Sequence, residues 1–293
     1  MAVSSPDTAV RTGRLTRAVI YAALLFFAFY YLLPLYVMLV NSVKPLDEIR
    51  GGAMLSLPQA FTLDPWLSAW ATAQIGVNPT GLRPYFLNSI LMVVPAVAIS
   101  TILGALNGYV LTKWRFPGHK IVFGMMLFAC FIPFQAVLIP MARLLGLMGL
   151  SNTTTGLVMV HVIYGLGFTT LFFRNYYEAF PDELVKAAMI DGAGFFRIFW
   201  RILLPTSGPI IVVTVIYQFT NIWNDFLFGV SFAGGEASPM TVALNNLVSS
   251  STGVKEYNVD MAAAVFAALP TLVVYIVAGR YFVRGLMAGA VKG

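Results

Sequence analysis

Apolar residues gather into six long runs, at about 18–42, 85–111, 121–142, 155–173, 207–229 and 261–283, with polar segments between them. Each run approaches the ~20 residues that cross a hydrocarbon core as a helix. The pattern predicts an all-α, polytopic membrane protein with six transmembrane helices. Arg11, Arg14 and Arg17 precede the first run and give it the charge profile of a signal peptide. That run exceeds the about 7–15 residues of a signal-peptide core, and no clear small-residue cleavage site follows, so it is read as a retained span. Pro34, Pro95, Pro133, Pro140 and Pro270 fall within runs, and Gly104 and Gly108 lie close together in the second. Two readings stand for the prolines: tolerated kinks whose backbone neighbours satisfy, or bends that let a pathway open. No internal repeat is visible, which weighs against inverted-repeat secondary transporters.

Composition sharpens the class. Hydrophobic residues make up 59% of the 293 and charged residues 10%, against about 25% charged in soluble domains. The net charge of +6 does not point to nucleic acid, because the basic residues sit in short segments beside spans and not on one face. Membrane lipid is the expected surrounding. Thirteen of the 18 Lys and Arg residues lie in the N-terminal tail, in 112–120, in 174–206 and from Arg280 onward; five lie in the alternate connections. Basic residues mark the cytoplasmic side, so both termini and the 174–206 loop are expected there. The expected organisation is a cytoplasmic tail at 1–17, a six-span domain at 18–283 and a cytoplasmic tail at 284–293. The single Cys130 lies in an apolar run, where it suits a small buried hydrophobe and no disulfide framework.

The 174–206 loop is the most informative polar segment. Pro181 suits a first helical turn, where its missing N–H leaves nothing unpaired, and Asp182 and Glu183 favour the positive helix end. Leu184, Ala187, Ala188 and Asp191 recur at helical spacing on one face, and the two alanines permit close approach by another surface. Gly192 and Gly194 end the helix. Phe196, Phe199, Trp200 and Leu203 then predict a second helix with an aromatic face, and Pro205 redirects the chain. From periodicity alone, this helix–turn–helix fits a protein contact or an amphipathic segment lying on the bilayer.

The run Glu183-Leu184-Val185-Lys186-Ala187-Ala188, three residues, Gly192, nine residues, then Ile202-Leu203-Leu204-Pro205 resembles the cytoplasmic loop of permease subunits in ATP-binding-cassette importers. It looks most like the carbohydrate, maltose-transporter-type branch. Asn88-Ser89, Lys113-Trp114-Arg115-Phe116-Pro117-Gly118, Pro133, Gln135, Ile139-Pro140 and the ending Arg284 to Gly293 are similar to further elements of that branch, in the same order. The resemblance implies a type I importer permease fold in the bacterial cytoplasmic (inner) membrane. It implies a second homologous permease, two ATPase subunits and an extracytoplasmic solute-binding protein as partners. ATP and Mg would be bound by the ATPases, and no cofactor by this chain. Glu183, Lys186, Ala187, Ala188, Asp191, Gly192, Phe195 and Phe196 would couple the permease to an ATPase. The family's usual glutamate is Lys186 here, so a salt bridge from that position does not carry over.

Asn221, Trp223, Asn224 and Asp225 in the fifth run are candidates to line a sugar path. Amides and carboxylates match sugar hydroxyls and a ring covers a pyranose face; the alternative is polar glue between helices. His161 is read as an interhelical hydrogen-bond partner. The 230–260 connection is long for an unstructured loop, and the resemblance implies contact with the solute-binding protein there. No G-x-x-x-x-G-K-[ST] phosphate loop and no Cys/His cluster of metal-ligand spacing occurs, so an enzymatic role is not expected. An ion-coupled transporter or channel would need ionisable groups deep in its spans, which are almost free of charge. A polyol or glycerol-phosphate permease remains the alternative within the family.

Overall fold

The structure, a computed structural model, describes residues 13–250 and 254–290, with side chains described through Gly279. Its helices are α1 (Arg14–Asn41), α2 (Leu46–Arg50), α3 (Asp64–Ala71), α4 (Arg83–Lys113), α5 (His119–Cys130), α6 (Phe134–Leu147) and α7 (Thr154–Glu178). They continue as α8 (Asp182–Ile190), α9 (Phe195–Ile198), α10 (Leu204–Thr206), α11 (Gly208–Trp223), α12 (Leu227–Phe232), α13 (Met240–Val248) and α14 (Tyr257–Ala290). Four of them, α1, α4, α7 and α14, are each long and apolar enough to cross a membrane, and two bent pairs raise the count to six.

The two bent pairs correct the expected spans. The third run is not one helix: α5 and α6 meet at 102°. Pro133 caps α6 in extended geometry, and a proline has no N–H to carry a helical ladder through the junction. The fifth run ends early. Its helix α11 has 16 residues, roughly 24 Å at 1.5 Å per residue, less than the ~30 Å hydrocarbon core. It joins the preceding α9–α10 segment at 80°, and at its other end the chain leaves helical geometry before α12. Pro34, Pro95, Pro140 and Pro270 lie inside α1, α4, α6 and α14.

The bundle is organised around α4 and α7, which pack along much of their length. Gly104 and Gly108 make this approach possible. A Cβ on Gly104 would overlap the Thr169 side chain, and one on Gly108 would sit 2.7 Å from the Arg174 backbone nitrogen. The glycine pair is therefore a packing surface of the small-residue type that lets two membrane helices come close. Polar groups tie the neighbouring helices as well: Asn107 of α4 donates to Thr170 of α7 at 3.2 Å, and buried Gln218 of α11 donates to Ser100 of α4 at 2.9 Å. In contrast, α1 exposes its apolar side chains from Leu15 to Leu33 and meets the bundle only near its C-terminal end.

Two apolar cores result, one toward each end. The larger contains Met92, Val93, Trp223, Phe228, Met240 and Val259. There the connections are tied down by polar contacts: buried Lys44 donates to Ala53 O and Ser56 O, both at 2.6 Å, and Asn258 donates to Lys44 O at 3.0 Å. The 230–260 connection is built from α12, α13 and a short 3-10 turn, with 251–253 outside the described residues. Asn88 donates to Glu236 O and Ser238 O, and Ser89 Oγ accepts the Met240 N–H at 2.8 Å. The Asn88-Ser89 pair thus secures this connection to the start of α4. The second core is at the opposite end and holds the 174–206 segment.

Candidate functional site

An aromatic cluster and one lysine build the seat for that segment. Tyr109, fully buried near the end of α4, is packed against Phe195 (centroids 4.8 Å apart) and Phe199 (5.9 Å). Trp114 donates its indole N–H to the Tyr109 hydroxyl and meets Phe195 edge-on at 5.4 Å. Such ring pairs contribute about 0.5–1.5 kcal/mol each beyond area burial. Phe173, Tyr177, Val185, Ile198 and Leu203 complete the cluster. Lys113, the last residue of α4, donates to Phe180 O at 2.6 Å and to Asp182 Oδ1 at 2.5 Å, which pins the first turn of α8 to the span.

The hydrogen bond and charge of Lys113 hold the Asp182 carboxyl below its ordinary 3.8, and Lys186 and Arg115 add to the effect. A depressed carboxylate stabilises the fold above its unfolded value and loses that contribution as pH falls through the folded one. This tie therefore persists at neutral pH and weakens only in strong acid. Its strength is modest because Asp182 is more than half exposed.

The end of α8 is closed by a left-handed glycine. Gly192 has φ +78°, Ala193 N–H bonds Ala188 O at 2.9 Å and Gly192 N–H bonds Met189 O at 3.0 Å. These are the paired hydrogen bonds of a Schellman cap. No atom stands within 4 Å of where a Gly192 Cβ would be, so only the backbone conformation selects glycine. Gly194 is extended and begins α9.

The aromatic positions split between two faces, which corrects the expected single stripe. Phe199 and Leu203 are buried inward, while Phe196 is 66% exposed and Trp200 also faces out. The reason is a π-helical turn over Phe199–Leu203, which changes the helical period where the stripe was extrapolated. On α8, Val185 is the buried residue, and Ala188 is half-buried. Glu183, Leu184, Lys186, Ala187, Asp191, Gly192 and Ile190, the last 86% exposed, form the outward surface. Phe195 is half-buried against Tyr109 and Trp114. Lys186 has no ion-pair partner among the described residues.

The four path candidates do not share one surface. Asn221 and Asn224 are exposed and donate back to their own helix, to Tyr217 O at 2.8 Å and Thr220 O at 2.9 Å. Trp223 is a core residue, 1% exposed, donating to Ala267 O at 2.8 Å and stacked on Phe219. Asp225 caps α12, accepting the Phe228 and Gly229 N–H groups, both at 3.1 Å. His161 Nε2 lies 3.8 Å from Asp225 Oδ2, beyond hydrogen-bond length, and has no hydrogen-bond partner among the described residues. Among the described residues no group of three His, Cys, Asp or Glu could hold a metal ion.

Tyr109 and Lys113 are the residues that sequence reasoning missed as organisers of this site. Lys113 begins the Lys113-Trp114-Arg115 run noted above, but nothing in the run names Phe180 and Asp182 as its partners. Tyr109 is one aromatic among many in an apolar span.

A multi-span helical bundle with a helix–turn–helix seated at one end defines a polytopic helical membrane protein. The chain belongs to the family of binding-protein-dependent transport system inner membrane components, whose model matches residues 85–286. A probable ABC transporter permease protein of Pyrococcus horikoshii is 41% identical, over 95% of this chain and 98% of its own. A xylose/arabinose import permease protein of Haloferax volcanii is 31% identical, over 96% of this chain and 95% of its own. The fold is shared with a bacterial ABC transporter structure involved in import of the acidic polysaccharide alginate. That chain gives a TM-score of 0.79 at 22% identity, covering 92% of this chain and 99% of that one.

Proposed function

We propose that this permease serves an ATP-driven sugar importer, paired with a second homologous permease and seated on two ATPase subunits that bind ATP and Mg. The observation that carries the coupling role is the construction of α8. Its inner side is held by Val185, Lys113 and the Tyr109 cluster, while its outer side offers small and apolar side chains to a partner. An ATPase that moves α8 therefore moves α4 and α7 with it. The charge bias of the connections supports α8 and both termini being cytoplasmic. The opposite end, with α12 and α13, then faces the solute-binding protein. The import name of the Haloferax relative supports a carbohydrate cargo, and Asn221 and Asn224 are the path candidates free to meet one.

The test is reconstitution. Liposomes holding the assembled transporter should accumulate labelled sugar only with ATP inside and the solute-binding protein outside. Uptake driven by an ion gradient without ATP would overturn the assignment. In the same system Asn221→Leu with Asn224→Leu should raise the sugar concentration for half-maximal uptake several-fold, leaving unstimulated ATP hydrolysis unchanged. Lys186→Glu should change the ratio of ATP hydrolysed to sugar moved while the complex still assembles, because its counter-charge lies on the partner. An unaltered ratio would make Lys186 merely solvated.

A further inference from the structure

A cationic cleft adjoins the base of the 174–206 segment. It lies where α4, α5 and α7 meet, encloses about 310 Å³, and is lined by Arg115, His119, Lys120, Phe123, Arg174 and Glu178. Three permanent cations face one carboxylate. Glu178 accepts from Arg115 Nη2 at 3.3 Å and lies 3.6 Å from Arg174 Nη2, so its single charge is shared between two guanidinium groups. Lys120 has no ion-pair partner among the described residues. Arg174 is held over the Phe123 ring at 4.7 Å, which fixes its fork in the cleft. The first turn of α5 also opens here, with no side-chain cap and no acidic residue, so its N–H groups add to the positive field. Positive charge in excess, on preset side chains, is a site for an anion.

The surroundings decide what carries that anion. From the cleft, the side of α5 that carries Phe123 continues through Met126 and Cys130, while Ile121, Met125 and Phe128 are exposed on its other side. Farther along, an apolar cleft of about 400 Å³ opens beside Met126, Cys130 and Pro140. A cationic pocket at the end of a span, followed on the same side of α5 by an apolar cleft, matches a phosphate headgroup followed by acyl chains. Basic pockets between membrane helices on the cytoplasmic side suit anionic lipid headgroups.

We propose that the cleft between α4, α5 and α7 binds the headgroup phosphate of an anionic phospholipid. Lys120 and Arg174 are its principal donors, and the acyl chains lie along α5. Because Arg174 and Glu178 close α7 just before α8, the bound lipid braces the base of the coupling loop.

The test uses the assembled transporter in neutral detergent, titrated with phosphatidylglycerol or phosphatidylcholine and followed by native mass spectrometry. Wild type should retain phosphatidylglycerol in clear preference. Lys120→Gln should weaken that retention roughly fivefold, as expected for one basic residue at a membrane surface, and Lys120→Gln with Arg174→Gln more so. Arg83→Gln, at the far end of α4, should change nothing. Since Arg174 also packs on Phe123, the exposed Lys120 variant alone suffices for the comparison. Equal retention of the two lipids, or an undiminished preference in Lys120→Gln, would overturn the proposal. So would equal thermal stabilisation by inorganic phosphate alone, which would identify a free-anion site. Loss of an ATPase subunit from the Lys120→Gln complex with lipid preference intact would also overturn it, because the cleft would then be a protein contact.

Discussion

Gly192→Pro abolishes sugar uptake while membrane abundance stays near wild type. Proline fixes φ near −65°, and the backbone at Gly192 stands at +78°, so the Schellman cap that turns the chain from α8 into α9 cannot form. Proline also removes the N–H that bonds Met189 O. The spans themselves are untouched, since the turn is exposed and nothing stands within 4 Å of the new Cβ. The same geometry ranks milder variants. Gly192→Asn keeps most uptake because asparagine visits the left-handed region, whereas Gly192→Val, β-branched, costs about 1–2 kcal/mol in backbone strain. Uptake by each variant at matched abundance checks the ranking. Normal transport by Gly192→Pro would remove the turn from the mechanism.

Gly108→Val acts on the other half of the lever and is the more damaging to folding. Its Cβ would lie 2.7 Å from the Arg174 nitrogen and 2.8 Å from the Phe173 carbonyl carbon. Both are backbone atoms, so no rotamer change relieves the overlap, and α4 and α7 must separate. Overpacking a tight interface costs about 1–3 kcal/mol or more, and here the strain falls beside Tyr109 and Phe173, which support the 174–206 segment. The expected result is low abundance in the membrane and a lowered unfolding temperature for what remains. Gly124→Val, with nothing within 4 Å, serves as the control and should behave as wild type. Equal abundance of the two variants would contradict the close packing of α4 on α7.

The polar–apolar pattern made the class legible because a bilayer imposes one rule on every span: long, apolar and helical. The breaks were less legible. Pro133 marked a position in the third run but not a 102° turn, and the end of α11 at Trp223 carries no glycine or proline to announce it. The helix–turn–helix of 174–206 was read from its spacing and its coupling role only from the resemblance; Gly192 ends α8 as expected, in left-handed geometry. The single stripe expected of Phe196, Phe199, Trp200 and Leu203 divides between two faces where a π-turn inserts a local change of period that no residue type reveals. Trp223 illustrates a different limit. An indole beside amides suits a sugar in chemistry, yet the core formed by Phe86, Phe219 and Ala267 claims it. Those partners come from other elements or other turns, and a single sequence does not pair them.

The central claim is that the outward face of α8 meets an ATPase. The direct measurement places a photo-crosslinking amino acid at Ile190, the most exposed apolar position of α8, in cells expressing the whole transporter. Illumination should join this chain to an ATP-binding subunit, identified by mass spectrometry, with a yield that changes when a non-hydrolysable ATP analogue is added to membranes. Adducts with lipid alone, or with the solute-binding protein, would contradict the account.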